Sequence, residues 1–139
     1  MKKGTKPLLW AVFAVYLIAL LRITVFRDGC FSYGWFSGRA VWVPFVYLFH
    51  LLKIGYWSYF LYLFIGNLIW FLPLGCFCFG NRRPFWQAVL AGFLLSVMIE
   101  ALQFVFGSGV TEVEDVILNT CGAMLGYGVA ALFVKKEKI

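Results

Sequence analysis

The run FWQAVLAGFLLSVMIEALQFVF, Phe85 to Phe106, decides the fold class of this 139-residue chain. Apart from Gln87, Ser96, Glu100 and Gln103, the run contains only apolar residues and glycine. Its length matches the roughly 20 residues that an α-helix needs to cross a bilayer. The run therefore predicts a transmembrane helix. It also raises the question of why a carboxylate lies two thirds of the way along it.

The composition of the whole chain agrees with a membrane protein. Hydrophobic residues make up 63% of the chain and charged residues only 13%, whereas about a quarter of the residues of a soluble domain are charged. We therefore predict one integral membrane domain over residues 1–139. The net charge of +6 resides at the ends of the apolar runs, which indicates membrane orientation rather than a nucleic-acid partner. The cysteine spacing predicts no metal site, and we expect no cofactor.

Four apolar runs are long enough to cross a hydrocarbon core of roughly 30 Å. They lie at about residues 8–26, 57–79, 85–106 and 116–134. Residues 40–55 are also apolar, but they form a shorter run that contains Pro44, His50 and Lys53. We predict an all-α membrane protein of four transmembrane helices. Residues 27–56 then form an outer-face segment between the first two spans, and residues 40–55 are either interfacial or re-entrant.

The charges predict the orientation of these four spans. Basic residues collect on one face, at Lys2, Lys3, Lys6, Arg82, Arg83, Lys135, Lys136 and Lys138. Glu112, Glu114 and Asp115 lie on the opposite face. By the positive-inside rule, both termini are expected in the cytoplasm of a cell whose plasma membrane the chain spans several times. The opposite face also carries aromatic residues typical of an interfacial belt, namely Tyr33, Trp35, Trp42, Tyr47, Tyr56, Trp57 and Tyr59.

Small and polar residues recur at helical spacing in the third and fourth spans. The third span has such a stripe at Gly92, Ser96, Glu100, Gln103 and Gly107, and the fourth has one at Asp115, Asn119, Gly122 and Gly126. The connection between the two spans is short, so we expect the stripes to meet. The G-x-x-x-G pair Gly122 and Gly126 is expected to pack these two helices together. Asp115 also suits the N-cap of the fourth span.

Two further spans contribute polar residues at a similar predicted depth. Arg22 lies one turn inside the outer end of the first span, and Asn67 lies near the middle of the second, six residues before Pro73. Charged groups inside a membrane usually face inward and pair. We predict an outward-facing polar cluster of Arg22, Asn67, Glu100, Gln103, Asp115 and Asn119. The alternative roles are structural: Arg22 extends to the interface, Asp115 caps its helix, and Gln103 and Asn119 hold helices together.

Three segments resemble the signature blocks of the VanZ-like family. They are GNLIWFLPLG (66–75), IEALQF (99–104) and EDVILNTCGAMLGY (114–127), and the resemblance extends to the Arg22 region and to Pro44 and Phe45. The loop FGSGVTEVED (106–115) departs from the family pattern, in which an arginine or a further aspartate is common. The positions shared with the family fall on Arg22, Asn67, Pro73, Gly75, Glu100, Gln103, Asp115, Asn119, Gly122 and Gly126, of which Pro73, Gly75, Gly122 and Gly126 are expected to serve helix packing.

The resemblance implies a bacterial cell-membrane protein associated with low-level resistance to teicoplanin, a lipoglycopeptide. A first hypothesis is a binding protein whose partners are membrane lipids and a lipidated glycopeptide or lipid-linked cell-wall precursor. In this hypothesis Arg22 binds a phosphate or carboxylate. A second is a membrane enzyme that acts on a lipid or cell-wall precursor, with Glu100 as general acid or base. A third is a proton-coupled or ion-conducting oligomer that uses Glu100.

Overall fold

A computed structural model describes residues 5–27, 30–31 and 34–136 of the chain. Lys2, Lys3, Tyr33 and Lys138, assigned above to the two membrane faces, lie outside these residues, as do the side chains of Lys135 and Lys136. The elements in chain order are α1 (Thr5–Thr24), β1 (Arg39–Val41), α2 (Val46–Lys53), α3 (Trp57–Gly80), α4 (Phe85–Phe106), β2 (Val110–Glu112) and α5 (Val113–Lys136).

Four of the helices are long and apolar enough to cross a membrane. The qualifying segments are Lys6–Thr24, Trp57–Gly80, Phe85–Phe106 and Val113–Val134, so the predicted four-helix membrane fold is confirmed. The chain is therefore a multi-pass membrane protein. Two helices begin three residues earlier than predicted: α1 begins at Thr5 rather than at 8, and α5 begins at Val113 rather than at 116. α5 begins earlier because strand β2 leads directly into the helix.

Helices α3 and α5 form the closest helix pair, and glycine makes their approach possible. A Cβ atom on Gly122 would lie 2.3 Å from the carbonyl oxygen of Leu68, and one on Gly126 would lie 2.0 Å from that of Leu72. From the other side, a Cβ atom on Gly75 would lie 2.0 Å from the carbonyl oxygen of Ala123. Only glycine fits at such distances.

The glycine pair of α5 was predicted to pack against α4, and this prediction was wrong about the partner helix. The residues of α5 that face α4 are Asn119, whose side chain bonds Ser96, and Ala123, which lies against Gly92. The stripe of α5 therefore divides between two neighbours. Gly122 and Gly126 are four residues, or about one helix turn, apart and therefore lie on the same side of α5, which faces the α3 backbone at Leu68 and Leu72.

Helix α1 packs at the side of the bundle. The ring of Phe13 stacks on that of Phe77 with centroids 3.7 Å apart, and the Tyr16 hydroxyl donates to the carbonyl of Trp70 at 2.7 Å. Leu20 at the other end of α1 is completely buried. α1 thus packs on α3 between Trp10 and Tyr16, and its last residue, Thr24, is bonded by Gln103 of α4.

The segment between α1 and α3 contains secondary structure that an all-α fold does not include. Strands β1 and β2 pair in parallel, with Ala40 opposite Thr111. Helix α2 then packs Leu48 and Leu51 against Leu118 of α5 and beside the first turns of α3. A turn at Gly55, with φ of 78°, connects α2 to α3. Since glycine adopts positive φ without a steric penalty, α2 can turn back sharply into the spanning helix.

Candidate functional site

The carboxylate of Glu100 accepts a backbone hydrogen bond from strand β2. Glu100 lies on α4 with only 4% of its surface exposed, and it accepts the backbone N–H of Glu112 at 2.9 Å. The Thr111 hydroxyl donates to the backbone carbonyl of Glu100 at 3.0 Å. A buried N–H without an acceptor is costly. Glu100 therefore has a structural task, which is to hold the edge of β2 against α4.

The end of α4 is capped by the segment that precedes β1. The N–H groups of Phe31, Phe36 and Gly38 donate to the carbonyls of Phe106, Val105 and Phe104 at 3.0, 2.7 and 3.1 Å respectively. These carbonyls belong to the last turn of α4, whose carbonyls find no N–H inside the helix; that of Phe104 also accepts the N–H of the C-cap residue Gly107 at 3.4 Å. Gly38 lies directly on α4, because a Cβ atom there would be 2.5 Å from Cα of Phe104. These contacts hold β1 beside β2.

A groove runs between α4, the strand pair and the first turn of α5. Its volume is about 510 Å³. Its lining residues are mostly apolar, with two carboxylates among them: Ala40, Val41, Trp42, Val97, Glu100, Ala101, Phe104, Val105, Thr111, Glu112, Val113 and Val116. Trp42 is 76% exposed at its edge. We refer to this cavity as the β-groove.

Three acidic residues follow one another around the start of α5, and each has a different environment. Burial raises the pKa of Glu112 to about 7, and the charges of Asp115 and Glu114 add to this effect. The Glu114 carboxylate accepts the N–H of Phe45 at 2.5 Å. Asp115 accepts the side-chain amide of Asn67 at 2.6 Å. Asp115 was expected to cap α5, but the helix already begins at Val113, so Asp115 joins α5 to α3 instead.

The six residues predicted to form one polar cluster lie in several separate contacts. Hydrogen bonds join Asn67 to Asp115, whereas Glu100 bonds β2. Arg22 donates to the carbonyl of Phe26, two residues beyond the end of α1. The amide of Gln103 donates to the carbonyl of Thr24 at 3.2 Å.

Asn119, the sixth predicted residue, bonds Ser96 inside the bundle. Its Nδ2 atom donates to the Ser96 hydroxyl at 2.8 Å, and both residues are buried. Its Oδ1 atom is buried and has no hydrogen-bond partner among the described residues. This pair links α4 to α5 as interhelical polar contacts commonly do.

Several residues of the β-groove were not singled out by the sequence analysis as site residues. Glu112 and Thr111 follow two glycines in a short loop, and Val41 lies in an apolar run without strict alternation. A three-residue strand is too short to show a measurable periodicity. Its pairing also joins segments about seventy residues apart, so no local pattern predicts it. The only available signal was the β-branched content of residues 110–113.

Comparison with known proteins gives a family and one partial relative. The profile of the family described as VanZ/LLP1 matches residues 13–134. Protein VanZ of Enterococcus faecium is 35% identical over 83 residues, which cover 54% of this chain and 50% of that protein. The chain thus aligns with about half the length of this relative. No solved structure gives a significant match.

Proposed function

The chain belongs to the VanZ/LLP1 family, and we propose that it binds a lipidated ligand in the β-groove. The acyl chain would lie along the groove, and the adjoining polar group would meet Glu100 and Glu112. The proposed ligands are a lipidated glycopeptide of the teicoplanin type or a lipid-linked cell-wall precursor. Binding would lower susceptibility to such glycopeptides, in line with what resemblance to this family implies.

The depth of the β-groove supports an acyl ligand. Its α4 wall runs from Val97 to Val105, which is about 12 Å along a spanning helix at 1.5 Å per residue. Asp115 near the opposite wall bonds Asn67, which lies ten residues, or about 15 Å, into α3. A groove at these positions is within reach of the hydrocarbon core, so its natural neighbours are lipid chains.

The polar end of the β-groove would provide the selectivity. Acyl chains are as apolar as the groove walls, so a lipid gains little free energy merely by leaving its neighbours. A carboxylate has lone pairs for several donors, and the described contacts of the Glu100 carboxylate include one backbone N–H. Amide or hydroxyl donors next to an acyl chain could therefore add hydrogen bonds to the oxygens of this carboxyl group.

A groove-filling substitution tests the proposal most directly. Ala101 is exposed and lines the β-groove, so Ala101→Trp should block an acyl chain. Ala14 is exposed on α1, and Ala14→Trp is the matched control. Binding of labelled teicoplanin to nanodisc-embedded protein should be lost in the first variant and unchanged in the second. Equal binding by both variants would overturn the proposal.

Substitutions of Glu100 separate its structural contact from ligand binding. Glu100→Gln keeps one oxygen acceptor for the N–H of Glu112 but replaces the second carboxyl oxygen with an NH2 group, which cannot accept a hydrogen bond. We expect stable protein whose affinity for the ligand is about tenfold lower, equivalent to about 1.4 kcal/mol. Susceptibility of cells to teicoplanin should follow binding at matched membrane levels. Vancomycin, which has no acyl chain, is the control drug, and expression of the protein should not protect cells against it.

The β-groove also keeps an enzymatic role for Glu100 as the second candidate, because the buried acid lines a cavity of ligand size. Mass spectrometry of lipids from cells with and without the protein discriminates the two functions. If the wild-type protein makes a lipid species appear or disappear, and the Glu100→Gln variant does not cause that change, the result would favour the enzyme over the binding protein. An unchanged lipid profile together with ligand binding favours the binding protein. A third candidate, proton-coupled flux, would require pH-driven transport in liposomes.

The proposed location is the bacterial plasma membrane, with both termini in the cytoplasm. Lys6, Arg82 and Arg83 lie at one end of the spanning helices, whereas β1, β2 and the acidic residues lie at the other. This distribution follows the positive-inside rule. The β-groove would then open within the outer half of the membrane, where a drug approaching from outside would meet it. Labelling of single cysteines introduced at the two ends would test this orientation.

A further inference from the structure

A second cavity lies at the end of the molecule opposite the β-groove. It has a volume of about 240 Å³ and is lined by Lys6, Gly80, Asn81 and Arg82. Lys6 belongs to the first turn of α1. Gly80 is the last residue of α3, and Asn81 and Arg82 follow it directly. Both helices are membrane-spanning candidates, so this cavity lies where they leave the bilayer.

We propose that this cavity binds the phosphate of an anionic phospholipid head group. Two cationic side chains, one from α1 and one from the turn after α3, line a space of this small size, and no acidic side chain lines it among the described residues. A guanidinium and an ammonium together supply hydrogen-bond donors and charge that complement a phosphate diester. The acyl chains of the lipid would descend along the exposed surface of α1.

Aromatic packing fixes the two walls of the cavity relative to each other. Phe77 of α3 stacks on Phe13 and makes an edge contact with Trp10 at a centroid distance of 4.7 Å. The first turn of α1 is thereby held beside the last turn of α3. Among residues 5–27, 30–31 and 34–136, a Cβ atom on Gly80 would have only the Leu9 side chain within 4 Å, at 3.9 Å, and the missing side chain leaves the cavity open.

The backbone at the end of α3 places an arginine where glycine is usual. Asn81 ends the helix and Arg82 follows with φ of 57°, at the position that favours glycine in this type of helix end. Its N–H bonds the carbonyl of Phe79 at 2.8 Å. Local backbone geometry therefore does not account for an arginine here, whereas a phosphate partner does.

The neighbouring Arg83 provides a matched control, because it is exposed and does not line the cavity. Native mass spectrometry of the purified full chain would measure phosphatidylglycerol retained by wild type, Arg82→Gln, Lys6→Gln and Arg83→Gln. We expect at least about fivefold weaker retention for Arg82→Gln and Lys6→Gln and little change for Arg83→Gln. Equal losses in all three variants would indicate diffuse surface attraction and overturn the site.

Two further arms identify the ligand and exclude unfolding. Phosphatidylcholine carries a phosphate but no net charge, so its retention should be weak in every variant; equal retention of both lipids by the wild type would contradict an anionic lipid site. Inorganic phosphate should not displace phosphatidylglycerol at equal concentration, and displacement would assign the cavity to soluble phosphate instead.

Gly80→Leu, which fills the cavity without changing charge, should also reduce retention of phosphatidylglycerol. Normal retention in this variant, with an unchanged melting temperature, would refute the cavity as the binding place.

Discussion

The contact between α3 and α5 allows a prediction whose size follows from the distances. In Gly126→Ala, the new Cβ atom would lie 2.0 Å from the carbonyl oxygen of Leu72 and 2.8 Å from its carbon. Nonbonded contacts to Cβ are essentially never closer than 3.0 Å, so the two backbones must separate by about 1 Å. Because the obstructing atoms are backbone, no side-chain rotation can relieve the clash. A gap of this size forfeits a quarter to a half of the dispersion energy of the affected contacts.

We expect Gly126→Ala to lower the free energy of unfolding by about 1–3 kcal/mol, the usual cost of overpacking. Gly128→Ala is the matched control, two residues further along the same helix, because nothing lies within 4 Å of its Cβ position. The control should be neutral or more stable by up to about 1 kcal/mol, since alanine favours helix over glycine. Unfolding in mixed micelles of increasing SDS fraction, followed by circular dichroism, measures both. Equal stabilities of the two variants would refute the close α3–α5 contact.

The polar contacts give three more predictions. The pKa of Glu112 is raised to about 7 from a usual 4.5, chiefly by burial, so the folded state retains a proton that the unfolded state loses between these values. The contribution of Glu112 to the free energy of unfolding should therefore fall as the pH rises from about 5 to 7, and a Glu112→Gln variant that keeps the wild-type slope over this range would contradict this. Asn67→Leu should cost about 1–3 kcal/mol in the same micelle assay, because Asp115 loses its donor; an unchanged stability would show that another group serves it. Ser96→Ala should lower the free energy of unfolding by about 1 kcal/mol, because the Asn119 amide loses the hydroxyl oxygen that accepts its hydrogen bond. The double variant Ser96→Ala/Asn119→Leu should lose less than the sum of the two single variants, whereas additive losses would argue against the pairing.

The four spanning helices could be predicted from sequence because their signal is local. Each apolar run contains within itself the information that it must form a helix, since every backbone hydrogen bond in a membrane helix is made inside the segment. The third run was predicted at 85–106, and the helix occupies Phe85–Phe106. Prediction was less accurate at α5, where Val113 begins the helix, because the limit there depends on β2 and not on hydropathy.

The choice of partners could not be predicted in the same way. A stripe of small residues indicates that another backbone approaches closely, but it does not say which one. Gly122 and Gly126 were assigned to α4 because a short loop makes α4 and α5 neighbours in sequence. α3 is nevertheless the helix on which these glycines pack. In a bundle of four helices, each helix has more than one neighbour, and for the last helix, α5, chain connectivity identifies only one of them.

The position of Glu100 shows why its role needed both kinds of information. The sequence indicates that a carboxylate inside an apolar run must have a partner, and it suggested other polar side chains of the spans. The described acceptor contact of this carboxylate is instead a backbone N–H of β2, in a strand too short for sequence periodicity to reveal. Where irregular backbone reaches membrane depth, its polar groups need partners from the surrounding protein. A buried glutamate that holds such a backbone also places its carboxyl group beside the β-groove, so one side chain meets a folding requirement and gives the cavity its polar end.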